Sequence, residues 1–448
     1  MTHQFQRPGG HWFTCGTHYV GQMGDGSIMR RLMDFVTGGT LWDPLPDEFD
    51  RFCFKSDGAV YTQPTGTKAW EKRLISHFPH EKQAILQYFE DIKAVYKWYD
   101  SYFLGRATGG WVSRAMTAWT SKQRRLYAAQ TCQQYMDRTF ADEKLKGVLC
   151  ALWGDYGLLP DKVTFMQHAL VAGNNFEGTW YPKLGSRALA KGALGIIQRA
   201  GGKVLLSTRA LEILRDDGGA AIGVLAEDLA SGQRRQFHAP IVISAAGAYN
   251  TYRRLLQPPL HQELDSKELR HAGQAVISVW LCLDASPAQL WGMAGENYWI
   301  SSHYQHDAEG LYHPEIRRVH YAFLSCSGLK ERYSSHAHGL EICLFTNPEF
   351  FDSWKGRSAS EYAKMKARIV EDAVSFVDQF VPGLAEHITA SEVGTPVTWE
   401  RFCQWPGGTM YGVPPTGRRL EAEAFLRPHT PIKNLWLAGE RDLGTGKD

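Results

Sequence analysis

Apolar positions recur along the chain with two different spacings, and each predicts its own element. From Trp70 they return every three or four residues, as at Ile85, Phe89, Ile92, Tyr96 and Tyr99, with Pro79 placed where a first helical turn accepts a proline. That spacing predicts a largely helical stretch over about 70–150. A shorter helix fits between Ser27 as N-cap and Gly38 as C-cap, with Ile28, Leu32, Phe35 and Val36 on one face. Residues 187–200 read as another amphipathic helix, stopped by Gly201 and Gly202. Beyond it the pattern shortens to β-like runs over 203–208, 221–227 and 241–245, separated by the turn signals Asp216-Asp217-Gly218-Gly219 and Ser231-Gly232. The run from Ala239 to Gly247 is continuously apolar, as in a strand of a parallel sheet buried on both faces. Three further strands are predicted over 276–284, 319–324 and 340–345, then a long helix over 358–380 and a short strand ending at Gly439. Helices mixed with short strands predict an α/β (α+β) fold.

Composition narrows the function classes. A chain of 448 residues is long enough for two or three domains, and 44% hydrophobic with 21% charged residues is ordinary for a globular protein. Forty-nine basic against forty-seven acidic residues leave a net charge of +2 with no long basic block, which argues against nucleic acid as a partner. The eight cysteines are scattered without a C-x-x-C pair, the pattern of reduced thiols. No apolar run approaches membrane-spanning length and the N-terminus lacks the core of a signal peptide, so a cytoplasmic location, or a peripheral one on a membrane surface, is expected. Gly at 44 residues and 12% aromatics suit either a large loop-rich α/β core or a close-fitting cofactor cradle joined to an apolar substrate region, and composition alone does not choose between them.

Familiar motifs are missing. There is no intact G-x-G-x-x-G, since Gly24 and Gly26 are followed by Met29 at the third place, and no G-x-S-x-G nucleophile elbow. His303/His306 and His336/His338 have metal-like spacing without an H-E-x-x-H frame, so no metal site is expected.

The order of several segments is more informative. Pro8-Gly9-Gly10-His11, Gly16-Thr17-His18-Tyr19-Val20-Gly21, Leu152-Trp153-Gly154-Asp155-Tyr156-Gly157, Val242-Ile243-Ser244-Ala245-Ala246-Gly247, Pro406-Gly407-Gly408 with Tyr411-Gly412, and Leu437-Ala438-Gly439 follow one another across nearly the whole chain. Together they resemble the FAD-dependent phytoene desaturase, carotenoid isomerase and retinol saturase family of the amine oxidase superfamily.

The resemblance implies an incomplete Rossmann-like FAD-binding domain, over 1–40, 183–262 and 400–448, interleaved with a substrate-binding domain over 41–182 and 263–399, made of a mixed β-sheet and a helical part over 66–170. The family's first strand and its G-x-G-x-x-G turn would precede Gly9, as expected of a truncated form. By family correspondence, Gly9, Gly10, His11, Val204, Ala210, Ala246, Gly247, Gly439, Glu440 and Asp442 contact FAD, and Gly408, Tyr411 and Gly412 lie near the flavin ring. The implied activity is hydrogen transfer across C–C bonds of an apolar isoprenoid polyene, a carotenoid or retinoid: desaturation, saturation or isomerisation by hydride exchange with flavin, with NAD(P)H as a further electron carrier. Two alternatives stay open: a flavin-free remnant binding an apolar ligand, and an FAD amine oxidase acting on a polar amine.

Overall fold

The computed structural model describes residues 3–7, 10–107, 110–266, 273–331, 338–417, 419 and 427–439; within its helices the side chains of 103–107, 110, 113, 114, 117 and 121–125 are not among them. The chain starts as an antiparallel hairpin, β1 (Gln4–Gln6) and β2 (Trp12–Thr14), followed by β3 (Val20–Gly21) and helix α1 (Ile28–Thr37). The ends of α1 are chemically fixed: Ser27 Oγ accepts from the Arg30 N–H, and Gly38 at φ 72° closes the last turn on the Asp34 carbonyl. Its predicted apolar face points outward. Ile28, Leu32, Phe35 and Val36 are exposed, while Met29, Met33 and Thr37 turn toward the protein.

After β4 (Trp42–Pro44), β5 (Glu48–Phe54) and β6 (Val60–Pro64) comes the helical block: α2 (Thr67–His77), α3 (Lys82–Ala107), α4 (Gly110–Ala128), α5 (Cys132–Thr139), α6 (Glu143–Cys150) and α7 (Phe165–Asn174). Pro79 opens a 3-10 turn that runs straight into α3. Trp70, Ile85, Phe89, Ile92, Trp98 and Tyr102 are buried in one cluster with Phe52, Trp299, Phe323 and Phe345, so this aromatic stripe is core packing. Trp153 closes the joint, its ring 4.6 Å from that of Tyr321 and 4.9 Å from that of Phe345.

Strand β7 (Thr179–Pro182) pairs with both β3 and β4, and helix α8 (Arg187–Arg199) follows. Strands β8 (Thr208–Arg215), β9 (Ala221–Asp228) and β10 (Arg234–His238) form an antiparallel meander, and β11 (Val242–Ser244) leaves it. Two expectations are corrected here. Residues 203–207 belong to no strand: the ladder to β9 begins at Thr208, and Leu206 is 81% exposed. Strand β11 is buried on one face alone: Val242 and Ser244 point inward, whereas Ile243 is 65% exposed.

The remainder builds the main sheet from β12 (Ala275–Leu283), β13 (Asn297–Ser301), β14 (Tyr321–Ser325), helix α9 (Ser327–Lys330), β15 (Gly339–Thr346), helix α10 (Ala359–Val377), β16 (Ile388–Gly394) and helix α11 (Pro396–Cys403), before β17 (Leu435–Leu437). Its seven strands run β16-β12-β15-β14-β13-β5-β6, with β5 parallel to β13 and every other pair antiparallel. Side chains alternate across it. Phe52, Trp299, Phe323 and Phe345 meet the helical block, while Ile300, Ala322, Leu324, Ile342 and Leu344 meet Met365, Ile369 and Val377 of α10. Every residue of β13, β14 and β15 is consequently buried. Among the described residues no helix is long and apolar enough to cross a membrane.

Candidate functional site

Strands β11 and β17 run parallel, with Val242 opposite Leu435 and Ser244 opposite Leu437, and both chains turn away at the same end. After β11 the turn at Ala245 to Gly247 (φ 86°) leads into a helical turn. Ser244 Oγ lies 2.7 Å from Thr251 Oγ1, which donates to the Gly247 carbonyl, and Asn250 Nδ2 donates to the Ala246 carbonyl at 2.9 Å. After β17, Gly439 stands at φ 109°, and among the described residues a Cβ there would meet nothing closer than Ala245 at 4.0 Å. The backbone therefore requires glycine, and the described residues leave the space beside it open. In open parallel sheets, ligands bind outside the carboxyl ends of the strands. The exposed Ile241 and Ile243 and the exposed run Val204, Leu205 and Leu206 add apolar surface to this part of the chain. Ala246, Gly247 and Gly439 thus come together in a setting that fits a flavin nucleotide.

The other expected cofactor contacts are distributed differently. Ala210 lies in β8 and Val204 in the unpaired segment before it. Gly10 and His11 form the tip of the β1–β2 hairpin, closed by the Arg7 N–H on the His11 carbonyl. That hairpin packs on the main sheet, through Arg7 with Glu392 and Phe5 with Trp280. Gly9, Glu440 and Asp442 lie outside the described residues.

Gly408, Tyr411 and Gly412 occupy one loop after α11. A Cβ on Gly408 (φ 63°) would collide with the Pro396 carbonyl, so this glycine lets the loop close on α11. The Met410 N–H donates to the Gln274 carbonyl at 3.0 Å, and the Gln274 N–H donates to the Gly157 carbonyl at 3.1 Å. This stitching lays the Tyr411 ring across Gly157, where a Cβ would approach Tyr411 Cδ2 to 2.7 Å.

Beside Gly157 lies a polar cluster embedded in the core. Tyr19 is carried in by the His18-Tyr19-Val20-Gly21 segment, where a side chain on Gly21 would strike the Asn174 carbonyl. Its hydroxyl donates to Asp155 Oδ2 at 2.7 Å and stands 3.5 Å from both Asp50 Oδ2 and Asn175 Nδ2. Asp50 on β5 and Asn297 on β13 are direct ladder partners, and Asn297 Nδ2 donates to Asp50 Oδ1 at 3.0 Å. Lys330, at the end of α9, donates to Asn297 Oδ1 (2.6 Å), Ser325 Oγ (2.7 Å) and the His18 carbonyl (2.8 Å). Glu341 Oε1 accepts from the Thr14 N–H and from Ser327 Oγ, each at 3.1 Å, and its Oε2 lies 3.4 Å from His18 Nδ1.

Burial dominates the electrostatics of this cluster. It pushes the Asp50 carboxyl up to about 7 against the hydrogen bond from Asn297, and the Glu341 carboxyl up to about 8. It lowers Lys330 to about 8 and His18 to about 3. Burial, with Asp155 and Asp50 adding to it, holds the Tyr19 hydroxyl well above its ordinary value. The cluster is able to hold a proton on a carboxyl at neutral pH and to present a neutral hydroxyl. Sequence reasoning singled out Tyr19 and Asp155 as family matches without a role, and passed over Asp50, Asn297, Lys330 and Glu341. The available signal was an isolated charge inside an apolar strand, as in Glu48-Phe-Asp-Arg-Phe-Cys-Phe54 and Gly339-Leu-Glu-Ile-Cys-Leu-Phe345.

No group of three metal-ligating side chains occurs among the described residues. His306, one of the spaced histidines, makes a 2.9 Å hydrogen bond to the Gly147 carbonyl instead.

The pattern of the flavin containing amine oxidoreductases matches residues 67–446. All-trans-retinol 13,14-reductase of Danio rerio is 29% identical, over 98% of this chain and 76% of its own length. Prolycopene isomerase 2 of an Oncidium hybrid cultivar is 23% identical, over 82% of this chain and 61% of its own. Among solved structures, cyclohexylamine oxidase of Brevibacterium oxydans superposes over 100% of this chain and 86% of its own with a TM-score of 0.55 at 14% identity, a likeness of fold. The parallel strand ends, the mixed sheet and these matches agree: the chain belongs to the flavin-containing amine oxidoreductase family, as an FAD-dependent oxidoreductase with a mixed α/β, Rossmann-like fold.

Proposed function

We propose that this oxidoreductase transfers hydrogen across a C–C double bond of an apolar isoprenoid polyene, a retinoid or carotenoid. The observation that carries the reading is the similarity to all-trans-retinol 13,14-reductase over 98% of the chain. Ala246, Gly247 and Gly439 would hold FAD at the ends of β11 and β17, with Val204 and Ala210 on its adenine side and Gly408, Tyr411 and Gly412 nearer the ring. Gly9, Gly10, His11, Glu440 and Asp442 would complete the contacts. Bound FAD supplies the two-electron exchange that no side chain can perform. The chain's own residues bind and orient the polyene, exclude water and handle protons. The cofactor segments would be 1–40, 183–262 and 400–448, and the remainder would serve the substrate.

A lipid-dissolved substrate suits a peripheral membrane location. The exposed ridge Ile28, Leu32, Phe35 and Val36 of α1 supports it, beside exposed Leu41 and Leu184 and the cations Arg31, Lys183 and Lys191, which complement an anionic lipid surface. NAD(P)H is the reductant we propose for the flavin. The test is to load the purified protein with FAD and supply all-trans-retinol, a carotenoid and a panel of amines, with and without NADPH. Loss of polyene conjugation is the expected result; oxidation of an amine alone would overturn the reading.

A further inference from the structure

Three elements bring the Tyr19 hydroxyl between the Asp155 and Asp50 carboxyl groups, an arrangement that the binding of FAD does not explain. Tyr19, Asp155, Met410 and Tyr411 are each partly exposed, whereas their neighbours Asp50, Gly157 and Asn175 are buried. The Tyr411 ring lies across Gly157, close in sequence to Asp155. The loop that the reading above sets beside the flavin ring thus meets the polar cluster at Gly157.

We propose that the Tyr19 hydroxyl, partly exposed and held between Asp155 and Asp50, is the group that gives the polyene its proton. The proposal rests on the polyene reading. When a hydride equivalent from reduced flavin is added to one carbon of a C=C bond, the π electron pair moves to the neighbouring carbon, which must take up a proton. The Tyr19 O–H turns from Asp155 toward that carbon, its O–H bond breaks and a C–H bond forms. The phenolate faces the Asp155 carboxylate and is reprotonated by Asp50, which solvent recharges between turnovers. Charge balances at each stage, and in the opposite direction the same groups accept the proton. Asp155 is a positioning residue that orients the hydroxyl. Asn297 and Lys330 position Asp50 from behind, Lys330 through its hydrogen bond to Asn297.

The titratable groups facing Tyr19 come from three elements: Asp155 from the 153–155 turn, Asp50 from β5 and Tyr411 from the 405–412 loop. With Asp50 as the proton store, polyene reduction should slow as pH rises through about 7. The test compares FAD-loaded wild type with Y19F and D50N. Y19F should keep its flavin spectrum and polyene binding while turnover falls about a hundredfold or more, the usual weight of a general acid. The wild-type product formed in D2O should carry solvent deuterium at the protonated carbon, and D50N should lose the fall in rate above neutrality. Without substrate or flavin turnover, the wild-type infrared spectrum at pH 6 should contain a protonated-carboxyl band that D50N removes. Y19F turnover within about threefold of wild type, an unlabelled product, or no band assignable to Asp50 would each overturn the proposal. If the wild type turns over no polyene, the reading beneath it fails and the proposal fails with it; an active wild type with an indifferent Y19F defeats the proposal alone.

Discussion

The main sheet and the β11·β17 pair are both built from short apolar strands, yet they meet solvent very differently. In β13, β14 and β15 every residue is buried, because the helical block covers one face of the sheet and α10 the other. In β11 the middle residue, Ile243, is 65% exposed, and the segment before β8 leaves Leu206 81% exposed. The first region draws its stability from its own residues. The second leaves apolar surface and open strand ends, so its order depends more on what binds there. The main sheet is a closed core in which a few buried charges are held by hydrogen bonds, whereas the β11·β17 pair leaves apolar surface beside its strands.

Four measurements put this contrast to the test. The largest effect is expected from Trp153→Ala, which removes the side chain joining helices to sheet and should cost about 3–5 kcal/mol in urea unfolding, against under about 0.5 kcal/mol for Ile243→Ala on the open strand. Equal costs would erase the distinction. Next, Lys330→Met strips the hydrogen bonds from Asn297, Ser325 and the His18 carbonyl and should cost about 3 kcal/mol. A stabilised variant would mean that the buried cation is retained for function alone.

Third, FAD at about a hundred times its dissociation constant should stabilise the protein by about 2.7 kcal/mol. Hydrogen exchange should slow at 241–247 and 435–439 first, leaving β13–β15 unchanged. Protection appearing chiefly in the main sheet would relocate the cofactor. Fourth, His168 is buried against the hydroxyls of Tyr88 and Tyr156, and burial lowers it to about 3 from an ordinary 6.5. The unfolded chain then binds this proton before the folded one does. Its contribution to stability is full above 6.5 and is lost as pH falls toward 3, by roughly 1 kcal/mol per pH unit. His168→Gln should flatten the acid limb by that amount, and an unchanged limb would show that the site is open to water.

How much of this was legible in the sequence depended on whether the cause was local. The ends of α1 are set by Ser27 and Gly38 within their own turn, and α3 by an uninterrupted apolar period, so both could be read directly. The membership of β5 in the main sheet could not, because its partner β13 lies more than two hundred residues away. Residues 203–207 have β-like composition, but a strand needs a neighbour, and the ladder to β9 begins only at Thr208. Tyr411 and Gly157 are separated in sequence and meet through Gln274, so the contact of this loop with the Tyr19 cluster exists in space alone. The outward apolar face of α1 was also beyond periodicity, which identifies a stripe without saying what covers it.

Hydride exchange between flavin and a polyene can be read directly in one anaerobic experiment. The FAD-loaded protein is reduced with dithionite, mixed with all-trans-retinol, and followed at the flavin and polyene absorption bands together. The prediction is reoxidation of the flavin in step with a stoichiometric loss of conjugation. Flavin that stays reduced with retinoid and carotenoid alike, in a protein whose oxidised flavin is bleached by an amine, would contradict it.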